Sequence, residues 1–478
     1  MKEGYIPQGE RKKILFLCDD IRMHSGIATM AREIVIGTSH RYNWFNVGAA
    51  IKHPEQGKII DVSDDTNTHN DITDANVKIL PIDGYGTPEL IRDLIKHEKP
   101  DALFFFTDPR YWIWLFQVES EFRKQLPFIY LNIWDDLPAP LYNESYYESC
   151  DALLAISKQT ENINKLVLGD KAKNKIIAYV PHGINEKIFF PVDVDNSEYG
   201  NLQTMKKSLY GDKNFEYIIF YNARNIRRKC VSDLIAAYQV FVDGLTDEQA
   251  AKCALVLHTQ TVDENGTDLV AVKDLLCNER SNIIFSNNRI SSHELNLLYN
   301  LSDVVVLPSS NEGWGLSLTE AMMCGKMIIA NVTGGMQDQM RFENENGEWI
   351  NFDENFCSNH FGTYKKCGEW AIPVFPSNSS LVGSVPTPYI WDDRLDFRDL
   401  AKALKEGLDL GKDEREKRGK AARVWVTSDE AMMSARWMCN NVIKYIDQTL
   451  ATWTPRKSFE LIKIEKQPVK KLRHKLVY

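Results

Sequence analysis

Two glutamates eight positions apart, Glu312 and Glu320, have a type and spacing that suit binding of a polar ligand. An apolar, β-branched run, Asp303–Pro308, precedes them and predicts a buried parallel strand. Leu316–Cys324 predicts a helix and Met327–Asn331 a second strand, so the segment reads as a βαβ unit. The unpaired N–H groups and positive dipole at the start of such a helix favour an anionic group such as a diphosphate.

The two carboxylates could hold hydroxyl groups of a sugar. Carboxylates accept hydrogen bonds in pairs, and the hydroxyls of a sugar ring also come in pairs. The residues alone leave a second interpretation open, in which Glu312 caps the helix and Glu320 lies on a solvated face.

A basic cluster follows another apolar strand, predicted at Tyr217–Tyr221. Four cations lie within six residues of the next segment: Arg224, Arg227, Arg228 and Lys229. The planar fork of a guanidinium matches phosphate oxygens, so this cluster is a second candidate anion site. The alternative is a solvated loop.

Length and composition favour a soluble protein with two large domains. The 478 residues are 44% apolar and 26% charged, and no apolar run approaches the roughly 20 residues of a membrane span. The N-terminus lacks the apolar core of a signal peptide, and nine scattered cysteines without a C-x-x-C pair favour a reducing cytoplasm. A net charge of −9 argues against a generally basic nucleic-acid-binding surface and leaves a local basic groove open.

Two further clusters carry weaker signals. Cys357, His360 and Cys367 lack a fourth ligand at a familiar spacing, so no zinc site is expected there. The tail from Arg456 to Tyr478 has eight Lys and Arg against two Glu, a balance of +6. It is either a solvated extension or an arm that contacts a polyanion.

The first half of the chain offers polar and aromatic residues where its predicted strands end. A strand, Lys13–Cys18, leads into a polar turn and a helix, Ile27–Ile36, and later strands are predicted at Ala102–Thr107 and Phe128–Ile133. The polar, aromatic and glycine residues that follow these strands are Asp20, His24, Gly26, Asp108, Tyr111, Trp134, Asp135 and Asp136. The aspartate pair could hold a hydroxyl group of a ligand, bind a metal or cap a helix.

The segment E-G-W-G-L-S-L-T-E-A-M-M-C-G-K-M-I-I-A, which begins at Glu312, resembles the E-x7-E motif of the retaining family-4 glycosyltransferases. The resemblance implies that Glu312 contacts the donor sugar and that Glu320 binds the ribose of the nucleotide. The turn residues that the motif then adds to the donor site are Gly313, Trp314, Gly315 and Leu316.

Other parts of the chain extend the resemblance. Arg224 and Lys229 stand where the family pattern G-R-x4-K-G grips the diphosphate, although Ala223 and Cys230 replace its glycines. The turn P-H-G-I-N, which contains His182, matches the family's P-x-G-[VI]-[DN], and Gly26 matches the glycine that faces the cleft. The chain departs from the family where Trp134-Asp135-Asp136 replaces a histidine, and where Asp338 is the acid nearest to the usual glutamate after G-G.

The fold that the resemblance implies is α/β and of the GT-B type: two Rossmann-like domains face each other across a cleft, and a C-terminal helix crosses back to the first domain. The expected boundaries are an acceptor-side domain over 1–190, a linker over 191–204, a nucleotide-sugar domain over 205–425, a crossover helix over 426–455 and a basic tail over 456–478. An aromatic-rich insertion, 340–397, is expected to be irregular and to serve acceptor recognition or a subunit contact.

The implied activity is retaining transfer of a sugar from a nucleotide-sugar, first of all a UDP-sugar, to an acceptor hydroxyl. The implied mechanism is front-face attack without a protein nucleophile, and it requires no metal or other cofactor. The catalytic candidates are Glu312, Arg224, Lys229, Asp135 and Asp136, and Gly26 is counted with the donor-binding residues. The acceptor-side candidates are Asp20, His24, Asp108, Tyr111, Trp134, Asp135 and His182.

The acceptor is the most open part of the prediction. The segments D-D-I-R-M-x-S-G and W-D-D-x-P-A-P-L-Y and the long insertion resemble glycosyltransferases carried by tailed bacteriophages. One hypothesis is therefore transfer to hydroxymethylcytosine of flipped-out DNA bases in the cytoplasm of a host cell. The alternatives are transfer to a cell-surface or lipid-linked glycan, a GT-B epimerase, and a catalytically silent sugar-nucleotide-binding protein. The sequence leaves the sugar, the base of the nucleotide and the oligomeric state open.

Overall fold

The computed structural model describes residues 4–49 and 52–457. Of the predicted basic tail, only Arg456 and Lys457 lie within these ranges, so the polyanion hypothesis falls outside the described residues.

The first domain is built on an eight-stranded sheet in the part of the chain that the structure describes. The strand order is β3-β4-β2-β1-β5-β6-β7-β8, and every pair is parallel except β3–β4. The strands are β1 (Lys12–Asp19), β2 (Tyr42–Ala49), β3 (Ile60–Asp61), β4 (Val77–Pro81), β5 (Ala102–Phe106), β6 (Phe128–Asn132), β7 (Ala152–Ala155) and β8 (Ile176–Tyr179).

Helices cover both faces of this sheet. They are α1 (Gly26–Thr38), α2 (Ser63–Asn70), α3 (Pro88–Glu98), α4 (Ile113–Gln117), α5 (Glu119–Phe122), α6 (Glu144–Glu148) and α7 (Lys158–Leu168). Because both faces are covered, the central strands need continuous apolar runs, and residues Ile14 to Cys18 of β1 are fully buried. Phe16 fixes one side of the sheet by contacting the rings of Trp44 and Phe104 at centroid distances of 5.4 and 5.1 Å.

The second domain has a parallel sheet of six described strands in the order β11-β10-β9-β12-β13-β14. These are β9 (Tyr217–Asn222), β10 (Cys253–His258), β11 (Ile283–Ser286), β12 (Val304–Leu307), β13 (Met327–Asn331) and β14 (Ala371–Val374). An antiparallel hairpin of β15 (Asn378–Ser384) and β16 (Thr387–Arg394) follows.

The remaining helices belong to this half of the chain or return from it. They are α8 (Tyr199–Tyr210), α9 (Val231–Asp243), α10 (Asp247–Ala251), α11 (Leu269–Leu276), α12 (Ser292–Leu301), α13 (Leu316–Met323), α14 (Met336–Met340), α15 (Phe397–Asp409), α16 (Gly411–Val426) and α17 (Ala435–Thr452). A 3-10 turn, Arg227–Lys229, lies between β9 and α9.

The last helix, α17, packs on the first domain. Asp447 of α17 accepts hydrogen bonds from Tyr42 Oη at 2.7 Å and from a terminal nitrogen of Arg41 at 2.6 Å. At the other end of the helix, the backbone N–H of Ala435 donates to the carbonyl of Ile184 at 3.0 Å. These contacts join the end of the chain to the turn that closes the first domain.

Several local predictions differ from the structure. The expectation of an irregular insertion over 340–397 was wrong for its second half, because β14 and the β15–β16 hairpin lie there. The β14 strand pairs with β13, and this pairing satisfies backbone groups that an irregular loop would leave exposed. A polar stretch of the first domain forms α2, whose Asp64 and Asp65 suit the first turn of a helix. The α8 helix begins at Tyr199, inside the predicted linker.

The described residues show no helix long and apolar enough to cross a bilayer. They also show no group of three or more His, Cys, Asp or Glu side chains arranged to hold a metal ion.

Candidate functional site

Glu312 lies in the turn between β12 and the start of α13, where the sequence places it. Gly315 adopts a φ of +88° at the helix N-cap, a conformation that side chains with a Cβ rarely adopt. Gly335 lies against the turn and donates from its N–H to the carbonyl of Glu312 at 2.9 Å. A Cβ on Gly335 would lie 2.1 Å from the carbonyl oxygen of Gly313, so only glycine permits this approach.

Two cations hold the Glu312 carboxylate. Lys229 Nζ contacts Oε1, and a terminal nitrogen of Arg228 contacts Oε2. The Glu312 side chain is 8% exposed and that of Lys229 is 11% exposed. Burial alone would raise the pKa of Glu312, but the charges of Lys229 and Arg228 outweigh it and lower that pKa below its usual value. Glu312 is therefore an ionised carboxylate at neutral pH.

Glu320 has a different environment one to two turns into α13. Its Oε2 accepts a hydrogen bond from Tyr299 Oη at 2.5 Å, and Asn222 Nδ2 donates to the same Tyr299 oxygen at 2.9 Å. Burial raises the pKa of Glu320 to about 7, and the Tyr299 hydrogen bond opposes that rise. Both glutamates are buried, so the solvated-face alternative for Glu320 was wrong.

The basic cluster divides between two carboxylates. Arg224 pairs with Asp263, with Nε at 2.7 Å from Oδ2 and a terminal nitrogen at 3.2 Å from Oδ1, and its side chain is 60% exposed. Arg228 is the cation that reaches Glu312 beside Lys229. Of this cluster, only Arg224 and Lys229 were predicted as site residues, and Arg228 was predicted only as additional positive charge. The position of Arg228 directly before Lys229 was the feature of the sequence that could have identified it as a site residue.

Asp135 and Asp136 face this turn from the first domain. The amide of Asn311, the residue before Glu312, donates to Asp136 Oδ1. Burial raises the pKa of both aspartates, and the charge of Arg228 opposes the rise in each. The domains are in close contact here, because a Cβ on Gly313 would lie 3.0 Å from the carbonyl oxygen of Ile133.

The residues beside this contact include three other predicted site residues. Trp134 is buried, and its indole N–H donates to the carbonyl of Asp136 at 3.0 Å, so its ring supports the loop. Gly26 lies at the start of α1, and a Cβ there would be 3.1 Å from the side chain of Leu316 in α13. The starts of α1 and α13 therefore face each other. Trp314 is buried, with its ring 6.2 Å from that of His182.

His182 is buried, and burial lowers its pKa to about 3. The neutral ring lies between Phe106 and Trp314, which assigns it a packing position between the two domains.

The other first-domain candidates lie around the end of β1 and after β5. Asp20 is buried and pairs with Arg22 at 2.7 Å, and His24 is exposed. Asp108 caps a turn by accepting from the N–H of Arg110 at 2.9 Å. Tyr111 is 47% exposed and stacks on Tyr85 at a centroid distance of 4.1 Å.

The two domains are Rossmann-like and face each other, which is the arrangement of the GT-B fold, and they meet at the turn that contains Glu312. The predicted fold class is therefore confirmed. Residues 203–355, about a third of the chain, match the family model for glycosyl transferases group 1. That segment contains Arg224, Arg228, Lys229, Glu312 and Glu320.

Curated relatives match parts of the chain. N-acetyl-alpha-D-glucosaminyl L-malate synthase of Bacillus anthracis is 30% identical over 194 residues, 40% of this chain and 44% of that protein. Alpha-maltose-1-phosphate synthase of Mycolicibacterium smegmatis is 24% identical over 208 residues, 44% of this chain and 50% of that protein. The chain spans about half the length of the curated relatives it matches.

Solved structures match nearly the whole chain in fold. Sucrose-phosphate synthase from Thermosynechococcus elongatus gives a TM-score of 0.64 at 16% identity, covering 92% of this chain and 100% of that one. Anabaena HepE in complex with UDP and glucose gives 0.60 at 12% identity, with 92% and 100% covered. At these identities the comparison establishes the shared fold.

Proposed function

We propose that this protein is a glycosyltransferase that moves a sugar from a nucleotide-sugar donor to an acceptor hydroxyl. The observation that carries the proposal is the buried Glu312 carboxylate, held by Arg228 and Lys229 at the start of α13 where the two domains meet. An ionised acceptor of hydrogen bonds beside two cations suits a ligand with hydroxyl groups next to a diphosphate.

The donor would be held along α13. In this proposal Glu312 binds hydroxyls of the sugar, and Glu320, oriented by Tyr299, binds the ribose. Arg228 and Lys229 bind the diphosphate, and Arg224 joins them by exchanging its exposed pair with Asp263 for a phosphate oxygen. UDP is the proposed nucleotide because Anabaena HepE, which shares the fold, was solved with UDP and glucose.

The proposed reaction retains the configuration of the transferred sugar. The acceptor oxygen bonds to the anomeric carbon from the face that the diphosphate leaves, and the bond from that carbon to the diphosphate oxygen breaks. The acceptor proton passes to the departing phosphate oxygen. Arg228 and Lys229 stabilise the negative charge that grows on the diphosphate.

The donor assignment is tested with Glu312→Gln and Arg228→Ala in a turnover assay with UDP-sugars. Each variant is expected to lower kcat by at least about 10²-fold, the usual cost of removing one group that stabilises a transition state. Arg398→Ala is the control, because Arg398 is 68% exposed on α15 and pairs with Asp396. Wild-type turnover in Glu312→Gln would refute the assignment.

For the acceptor we propose a planar ring that carries a hydroxymethyl group, with hydroxymethylcytosine in DNA as the first candidate. The supporting observation is the exposed face of Tyr111, which is backed by Tyr85, because a flipped base stacks on aromatic side chains. Tyr85 Oη donates to Asp19 at 3.1 Å, and Asp19 accepts from Ser25, which precedes Gly26. This chain of contacts leads from the aromatic pair to the helix start beside Leu316.

The acceptor assignment is tested by comparing transfer to hydroxymethylcytosine DNA with transfer to cytosine DNA of the same sequence. Transfer to the modified DNA alone, reduced by Tyr111→Ala, supports the proposal. Transfer to a lipid-linked glycan or a free small acceptor, with none to DNA, replaces it. Donor binding without transfer or donor hydrolysis would identify a silent nucleotide-sugar-binding protein.

A further inference from the structure

The β15–β16 hairpin reaches from the second domain onto the loop that follows Asp136. The N–H of Trp391 donates to the carbonyl of Leu137 at 2.8 Å. Tyr142 Oη donates to the carbonyl of Tyr389 at 3.0 Å, Tyr389 Oη donates to the carbonyl of Ala139 at 3.3 Å, and the two tyrosine rings lie 5.0 Å apart. The hairpin is therefore docked on the first domain through residues of one short loop.

The return strand of the hairpin is also fixed to the Glu312 turn. The buried Asp393 donates from its N–H to the carbonyl of Ser310 at 3.2 Å. Its carboxylate accepts from Thr333 Oγ1 at 2.8 Å, and its carbonyl accepts from Asn331 Nδ2 at 2.7 Å. Movement of the hairpin is thereby coupled to the residues that lead into Glu312.

Asn311 lies where these parts meet. Its side-chain amide donates to Asp136 Oδ1 on the first domain and to the carbonyl of Trp391 on the hairpin. Its backbone carbonyl accepts from Arg228 at 2.7 Å, and the same Arg228 nitrogen contacts Glu312. An asparagine side-chain amide has two N–H hydrogens, so it can donate one to Asp136 and the other to the Trp391 carbonyl.

We propose that Asn311 is a positioning residue, which uses the docked hairpin to hold Asp136 of the first domain beside the Arg228–Glu312 pair. The proposal rests on the proposed glycosyl transfer, and it adds the contact that holds the Asp136 carboxyl of the first domain next to the donor-binding residues. Arg228 and Lys229 bind the donor without the Asn311 side chain, whereas the placement of Asp136 relative to the bound donor depends on that side chain.

The charges around this point explain the need for a neutral amide. Asn311 contacts Asp136 of the first domain and Arg228 of the second. The other charged groups near this point are Asp135 beside Asp136, Glu312 and Lys229 beside Arg228, and Asp393 on the hairpin. A carboxylate at position 311 would face Asp136 with like charge, and it would have no hydrogen to donate unless one of the two acids were protonated.

The main test is Asn311→Asp, assayed for kcat, KM and UDP affinity across pH. We expect kcat to fall about 10- to 100-fold at pH 8, as for other losses of reacting geometry, while the Kd for UDP changes less than about threefold. Activity of the variant should recover relative to wild type as pH falls towards 5, because one proton restores a donor. A wild-type kcat and pH profile would overturn the proposal.

A second variant tests the hairpin without changing the site. Tyr142→Phe/Tyr389→Phe removes two hydroxyl contacts of the docked hairpin and should lower kcat several-fold with unchanged UDP affinity. Hydrogen exchange is measured on both variants and needs no turnover. Faster exchange of residues 378–394 and 137–142 is expected, and unchanged exchange in both variants would show that these contacts do not hold the hairpin on the first domain.

The two proposals fail in different ways. Absence of transfer by the wild-type protein from every donor tried counts against the proposed function. Active wild-type protein with unaffected Asn311→Asp counts against the positioning role alone.

Discussion

The two glutamates of α13 and its preceding turn have opposite electrostatic environments. Glu312 is paired with two cations and remains ionised, whereas Glu320 accepts a hydrogen bond from Tyr299 and has a pKa raised to about 7 by burial. The two side chains are chemically identical, and their different surroundings give them different pKa values. The site thus contains one carboxylate and one carboxyl that keeps its proton to a higher pH than a free glutamate does.

Glu320 is expected to make the folded protein less stable as pH rises from about 4.5 to about 7. The unfolded chain loses this proton near the ordinary value of 4.5, whereas the folded protein keeps it to about 7, so ionisation favours unfolding over this window. The cost is fully developed above pH 7 and amounts to about 3 kcal/mol. The measurement is the free energy of unfolding of wild type and Glu320→Gln from pH 4 to 8.5.

In Glu320→Gln the side chain can still accept from Tyr299, and it has no proton to lose. Its stability relative to wild type should therefore rise between pH 4.5 and 7 and stay constant above that. Parallel pH curves for the two proteins would contradict the raised pKa.

At the scale of elements, the contact of α17 with the first domain depends on two close approaches. A Cβ on Gly37 of α1 would lie 2.3 Å from the Sγ of Cys439 in α17. A Cβ on Gly183 would lie 2.3 Å from the carbonyl oxygen of Ser434, just before α17 begins. The N-terminal part of α17 can pack on the first domain because a glycine lies at each of these approaches.

Gly37→Ala is expected to destabilise the protein by about 1–3 kcal/mol, as overpacking of a tight contact usually does. Alanine is the better helix former, so the loss would arise from the contact with Cys439 and not from helix propensity. Denaturant unfolding measures the effect.

The matched double variant Gly37→Ala/Cys439→Ala removes the sulfur that the new methyl group meets. It should recover at least half of the loss, with a coupling energy above about 0.5 kcal/mol. Additive effects of the two substitutions would show that the close approach does not limit this contact.

At the scale of the whole molecule, several contacts hold the two domains together around the site. The N–H of Lys158 at the start of α7 donates to Asp338 at 2.9 Å, and Lys158 Nζ donates to the carbonyl of Ile350 at 2.8 Å. Asn162 Nδ2 donates to the carbonyl of Asp353 at 2.7 Å. The β15–β16 hairpin adds the contacts described above, so the insertion supplies much of the interface between domains.

A nucleoside diphosphate is expected to stabilise the whole chain, because the proposed site lies where both domains meet. At 100 times its Kd, UDP should add about 2.7 kcal/mol and raise the Tm. Lys229→Ala should reduce this rise at the same UDP concentration, since it removes a buried cation of the site. Differential scanning fluorimetry measures both.

The control is Lys402→Ala on α15, whose side chain is 79% exposed. It should respond to UDP as the wild type does. An equal rise in Lys229→Ala and in wild type would place nucleotide binding elsewhere.

The strands and helices whose formation depends on neighbouring residues were predicted well. The strand, turn and helix around Glu312 depend on a run of apolar residues, two glycines and a helical period, all of which are neighbours in sequence. The expected helix over Leu316–Cys324 corresponds to α13, and the expected strand over Met327–Asn331 is β13. Long-range order was less accessible, because β14, within the insertion over 340–397, forms by pairing with β13, where Ala371 lies beside Ile328.

By itself, the sequence determined the fold class, the turn with Glu312 and the presence of a basic cluster near it. Tertiary structure alone decided that Arg228 joins Lys229 on Glu312 while Arg224 pairs with Asp263. It also decided that Asn311 joins Asp136 to Trp391, residues that are 175 and 80 positions away. Spacing along the chain specifies a local turn, whereas the partner of a charged side chain depends on the direction in which the folded backbone points it.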